Sequence, residues 1–73
     1  MQIEEILSQT LTELVRSEQA CIDWPEEAVY SAGMVSECAG RLMGSAIDDE
    51  TNQIQKEAIQ TIVAAIRLLK NLK

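Results

Sequence analysis

The chain has 73 residues, which makes one domain at most, residues 1–73. Its formal net charge of −6 argues against nonspecific nucleic-acid binding, and the lack of histidine excludes Cys/His zinc sites and Ser/His or Cys/His catalytic pairs. The composition is rich in helix-forming residues, and no apolar run reaches membrane-spanning length. We therefore expect an all-α cytoplasmic protein that binds neither nucleic acid nor membranes.

Apolar periodicity predicts the first two helices. Between residues 2 and about 21, apolar side chains recur at spacings of three and four, which is typical of an amphipathic helix. Trp24-Pro25 then interrupts the pattern, and because proline suits the first turn of a helix, we predict a second helix from about 25 to 47. Its expected buried residues are Val29, Ala32, Val35, Ala39, Leu42, Met43, Ala46 and Ile47.

The sequences of the second and third helices both predict that these helices pack against more than one partner. In the second, small residues recur every four positions, and Gly40 and Gly44 favour close approach of another helix or a ligand. A polar turn at 48–52 precedes a third helix, from about 50 to 72. Both apolar stripes are too wide for one partner. We therefore expect a hairpin of these two helices, closed by the first, to assemble into a dimer or tetramer built around a helical bundle.

Four segments together carry a resemblance to a known family. They are Trp24-Pro25, residues 36–42, residues 56–61 and residues 65–72, in that order. This pattern resembles the MazG-like all-α nucleotide pyrophosphohydrolases, especially the small versions found in phages and mobile elements. In that family, carboxylates from an E-x-x-E pattern on one helix and an E-x-x-D or E-x-x-Q pattern on the next hold Mg²⁺, which carries the triphosphate and activates water.

The resemblance implies that this metal site is altered. Glu57 and Gln60 match the partner motif, but Cys38 and Arg41 stand at the two positions of the E-x-x-E pair. A neutral thiol is a poor ligand for a hard cation, and a guanidinium would repel one. Arg41 could instead pair with Glu37 or Glu57, or offer its donors to a phosphate. The positions that fit the family's Glu-Glu-x-Gly-Glu-Leu run are Glu37, Gly40 and Leu42.

The resemblance with its altered site favours a nucleotide-binding protein that hydrolyses its ligand weakly or not at all. Such a protein would bind or sequester a nucleotide or a nucleotide-derived signal, with no cofactor. Arg41 and Lys56 would meet phosphate, and Ser36 and Gln60 would donate hydrogen bonds. The candidate ligand-binding residues are Trp24, Ser36, Glu37, Arg41, Lys56, Glu57 and Gln60.

Two other functions remain open. One is a Mg²⁺-dependent nucleoside triphosphate pyrophosphohydrolase with a rearranged site of Glu37, Glu57 and one carboxylate of the 48–50 turn, such as Asp48. The other is a phage-type interaction module whose acidic helical surface binds and inhibits a host protein. Simpler interpretations also stand, since Glu37 and Arg41 could form an ordinary helix ion pair and Trp24 a hydrophobic lid over the helix ends.

Overall fold

The chain folds into three α-helices in a computed structural model that describes residues 1–72. They are α1 (Ile3–Ala20), α2 (Ala28–Ile47) and α3 (Thr51–Asn71). The predicted all-α fold with three helices is confirmed, and Lys73, the last residue of the predicted domain, lies outside the described part. None of the helices in residues 1–72 is both long enough and apolar enough to cross a membrane.

The link between α1 and α2 is longer than predicted, because α2 begins at Ala28 and not at Pro25. Trp24 is held from both sides. Its ring lies 4.6 Å from the guanidinium carbon of Arg67, and its indole N–H donates a 2.6 Å hydrogen bond to Ser31 Oγ. These contacts hold the link between α1 and α2 across the C-terminal end of α3. Pro25 therefore belongs to this link and does not start α2.

A Schellman motif closes the C-terminus of α2. The N–H of Asp49 donates to Ala46 O, and the N–H of Glu50 donates to Ser45 O. Asp49 has φ of 55°, in the left-handed region where glycine is the usual residue. The turn then enters α3 directly, so α2 and α3 form a tight hairpin.

The third helix lies between the other two. Along α1 and α3 the contacts advance together, from Glu13–Gln60 to Ser17–Arg67, so these helices run in the same direction. Both α1 and α2 pack on α3, but no Cα atom of α1 comes within 8 Å of one in α2. The expected closed bundle is therefore an open arrangement, with a cleft between α1 and α2 above α3.

The buried surface is correspondingly small. Within residues 1–72, the buried apolar side chains are Ile59, Val63 and Ala64, all on α3. On α2, only Val35 and Leu42 of the residues expected inside are even half-buried. The prediction was wrong for the rest, which are exposed because α2 has one helix neighbour instead of two: Val29, Ala32, Ala39, Met43, Ala46 and Ile47.

Arg67 joins all three helices. It is 2% exposed, and its guanidinium donates to Ser17 O at 3.1 Å, to Ser17 Oγ at 3.0 Å and to Cys21 O. These acceptors lie at the C-terminus of α1, the negative end of that helix dipole. Arg67 thus fixes α1 to α3, while its stacking under Trp24 links both to the start of α2.

Candidate functional site

A cleft of about 190 Å³ lies where α1 and α2 separate above α3. One wall is formed by α2 and carries Glu37, Cys38 and Arg41, whereas α3 provides Gln60 in the floor. Trp24 closes the end nearest Arg67. The open arrangement of the helices therefore brings together residues that are far apart in the sequence.

Arg41 organises the polar wall of the cleft. Its Nη1 donates to Glu37 Oε1 at 3.1 Å, one helical turn away, and its Nε makes a longer 3.4 Å bond to Glu57 Oε2 on α3. Its Nη2 points at Cys38 Sγ, 3.2 Å away. Sequence reasoning offered Glu37 or Glu57 as the partner, and the structure has both.

These contacts leave Arg41 with unused donors. A guanidinium has five N–H groups, and three of them point at the partners just described, so two remain unengaged by any described residue. The pKa of Arg41 is raised, first by its Coulombic interaction with the Cys38 side chain and then, against some desolvation, by the hydrogen bond and charge of Glu57 and by the charge of Glu37. Arg41 is therefore a fixed cation whose free N–H groups can bind an anion.

The side chains of the cleft do not fit Mg²⁺. The guanidinium of Arg41 stands between the carboxylates of Glu37 and Glu57 and bonds to both, which places a positive charge where a cation would need its ligands. Asp48, the third carboxylate of the enzyme hypothesis, is at the C-cap of α2 and does not line the cleft. Residues 1–72 contain no cluster of three or more metal-binding side chains.

A second groove, of about 240 Å³, lies between α1 and the first turns of α3 and meets the cleft at Gln60. It is lined by Lys56, one of the expected phosphate ligands, and by Glu13 and Arg16, which the sequence did not single out. The amide of Gln60 donates to Glu13 Oε2 at 3.2 Å and so divides the two spaces.

Charge is balanced around the two spaces, although the chain as a whole is acidic. Three carboxylates and three cations surround them, so a bound anion would not meet the net repulsion expected from the overall charge. The carboxylates are Glu13, Glu37 and Glu57, and the cations are Arg16, Arg41 and Lys56.

The structure gathers most of the predicted site. Glu37, Arg41, Gln60 and Trp24 line the cleft, and Glu57 adjoins it through Arg41. Ser36 is exposed on α2 and lines neither space. The N–H of Trp24 is occupied by Ser31 and one face of its ring by Arg67, which leaves the other ring face without either contact.

Comparison with known protein families, curated proteins and solved structures found no match to this chain. The likeness to MazG-like proteins therefore rests only on Trp24-Pro25 and on residues 36–42, 56–61 and 65–72.

Proposed function

We propose that the chain is a nucleotide-binding protein of MazG-like descent that holds its ligand in the cleft between α1 and α2, in the cytoplasm, without metal-dependent hydrolysis. The observation that carries the proposal is the guanidinium of Arg41, fixed by Glu37 and Glu57 with two N–H groups free. A planar cation with free donors suits a phosphate oxygen. Because the same group occupies the cation position, binding is favoured over Mg²⁺-assisted cleavage.

The size of the cleft supports a ligand with two parts. Pockets for small organic ligands usually have at least about 300 Å³, which is more than the cleft alone offers. With the adjoining groove of 240 Å³, the space exceeds that bound. A nucleotide could then bind across Gln60, with phosphate at Arg41 or Lys56, if the bond from Gln60 to Glu13 opened. Sequestration fits such a site, and we expect the protein to work as a homo-oligomer.

The test is mass spectrometry of small molecules released from protein purified under native conditions. We expect a phosphate-containing nucleotide from the wild type and a strongly reduced amount from Arg41→Gln. Lys70→Gln is the matched control, because it also removes one exposed cation but Lys70 pairs with Glu18 and lines neither space. An equal yield from wild type and Arg41→Gln would contradict the proposal. Mg²⁺-dependent release of pyrophosphate from ATP would favour the enzyme instead.

A second candidate, a module that binds a host protein, is favoured by a different surface. On α1, four apolar side chains at i,i+4 spacing are exposed, and such stripes often mark helix-binding faces. They are Ile3, Leu7, Leu11 and Val15. If this candidate is correct, a pull-down returns one stoichiometric host protein, and Leu7→Glu/Leu11→Glu loses it while Arg41→Gln keeps it. Loss in Arg41→Gln alone would exclude the α1 stripe as the docking site.

A further inference from the structure

The face of α2 that points away from α3 is apolar and has no neighbour in the chain. Three of its larger side chains are strongly exposed, Val29 at 78%, Met43 at 62% and Ile47 at 76%. The two charged residues of α2, Glu37 and Arg41, both line the cleft and not this face. At 1.5 Å per residue, the 20 residues of α2 provide a charge-free surface about 30 Å long. We call it the α2 outer face.

Glycines on and beside this face leave room that the monomer does not use. A Cβ built at Gly33, Gly40 or Gly44 would meet nothing within 4 Å. A glycine inside a helix lowers its stability relative to alanine, so the chain gains nothing from these residues by itself. Close approach of a second helix backbone would use the space.

The spacing of the face is self-complementary. Consider a second copy of α2 that packs antiparallel to the first, with the two-fold axis at the level of position 38. Each residue then faces the residue of the partner whose number makes the sum of the two numbers 76. Val29 then meets the partner's Ile47, so an exposed aliphatic side chain faces another at each end. Met43 meets the partner's Gly33, a large side chain against an open space. A parallel pairing would instead place each glycine against a glycine and each large residue against its copy.

We propose that the α2 outer face binds the same face of a second copy in this antiparallel register, and that the partner's Met43 closes a groove beside the cleft. That groove, of about 510 Å³, is lined by Tyr30, Gly33 and Met34, and it shares Met34 and Glu37 with the cleft. Gly33 both lines this groove and faces the partner's Met43 in the antiparallel register, so that Met43 would lie at the edge of the groove. This inference sharpens the homo-oligomer part of the proposed function, but it does not depend on a ligand.

The small area of the α2 outer face predicts a weak dimer. A strip about 30 Å long and about 10 Å wide covers roughly 300 Å², which is less than the roughly 800 Å² per partner of a standard stable interface. An interface of this size belongs to the weak, transient class, so we expect a reversible dimer and not a permanent assembly.

Sedimentation velocity over a range of protein concentrations tests the face without added ligand. The wild type should pass from monomer to dimer as concentration rises. Gly40→Leu should stay folded, because its side chain enters open space, yet weaken the dimer at least tenfold. Gln19→Leu, which places the same leucine side chain at an exposed position of α1, should leave the dimer affinity unchanged. A wild type that stays monomeric to high-micromolar concentration, or a Gly40→Leu dimer of unchanged affinity, would overturn the proposal whether or not a nucleotide binds.

Disulfide crosslinking tests the register. Val29→Cys and Ile47→Cys are prepared separately in a Cys21→Ser/Cys38→Ser background and then mixed under oxidising conditions. Antiparallel pairing predicts a crosslinked dimer only after mixing, because two copies of position 29 would lie about 27 Å apart, far beyond the reach of a disulfide. Crosslinking of either variant alone, or none after mixing when the background protein dimerises, would refute the antiparallel register.

Discussion

Replacing Arg67 with methionine tests how the three helices are held together. The substitution keeps an unbranched side chain of similar length but removes the guanidinium. That guanidinium donates three hydrogen bonds to the end of α1 and stacks on Trp24, and it is almost fully buried. No described carboxylate pairs with it, so its charge is compensated by helix-end carbonyls, a hydroxyl and an aromatic ring.

The magnitude follows from these contacts. A hydrogen bond to a charged group contributes about 1.5–3 kcal/mol, and a desolvated cation–π contact up to about 2 kcal/mol. Cys21 is exposed and can recover water, and methionine contributes some apolar burial, so the losses do not add fully. We expect Arg67→Met to lower the free energy of unfolding by about 2–4 kcal/mol, a large part of the roughly 4–11 kcal/mol expected for a domain of this length.

Urea unfolding followed by far-ultraviolet circular dichroism measures the change. Lys70→Met is the matched control, since it removes another α3 cation that contacts α1, but Lys70 and Glu18 form an exposed pair that should contribute less than about 1 kcal/mol. If Arg67→Met is as stable as the wild type, or more stable, then the cost of burying the guanidinium exceeds the value of its contacts, and the role given to Arg67 is wrong.

Three further changes probe local features. Asp49→Gly should raise the free energy of unfolding by about 0.5–1 kcal/mol in urea titrations, because glycine adopts the left-handed φ at the end of α2 without strain; a loss would contradict the Schellman turn. Ser31→Ala should cost about 1–3 kcal/mol by leaving the indole N–H of Trp24 unpaired, and the cost should shrink in a Trp24→Phe background. Cys38→Glu/Arg41→Glu should bind Mg²⁺ in calorimetric titrations where the wild type does not, and no uptake would count against descent from a metal site.

The number and order of the helices could be predicted because apolar periodicity and the breaks at Trp24-Pro25 and 48–52 are local signals. The pairing of Glu37 with Arg41 was also local, since i,i+4 residues are neighbours on any helix. Local sequence signals do not determine which helix packs against each apolar face. The wide stripe on α2 indicated several partners, but only the packing reveals that α1 lies on α3 and leaves most of that stripe exposed.

Arg67 shows a second reason why the sequence alone did not predict the whole structure. A base near the C-terminus of a helix ordinarily complements the dipole of its own helix. The structure turns Arg67 toward the end of α1 instead. Its spacing gave a signal, because Arg67 follows Ile59 and Val63 at intervals of four on the buried face. Charge normally excludes a residue from a core, so its burial requires acceptors that only the tertiary fold supplies.

The central claim is that Arg41 supplies by fixed charge what a metal would supply, and calorimetric titration of ATP in excess EDTA tests it most directly. We expect the wild type to bind ATP in the absence of divalent metal, Arg41→Gln to bind it at least tenfold more weakly, and Lys70→Gln to bind it with wild-type affinity. Binding that vanishes with EDTA, or that is equal in wild type and Arg41→Gln, would contradict the claim.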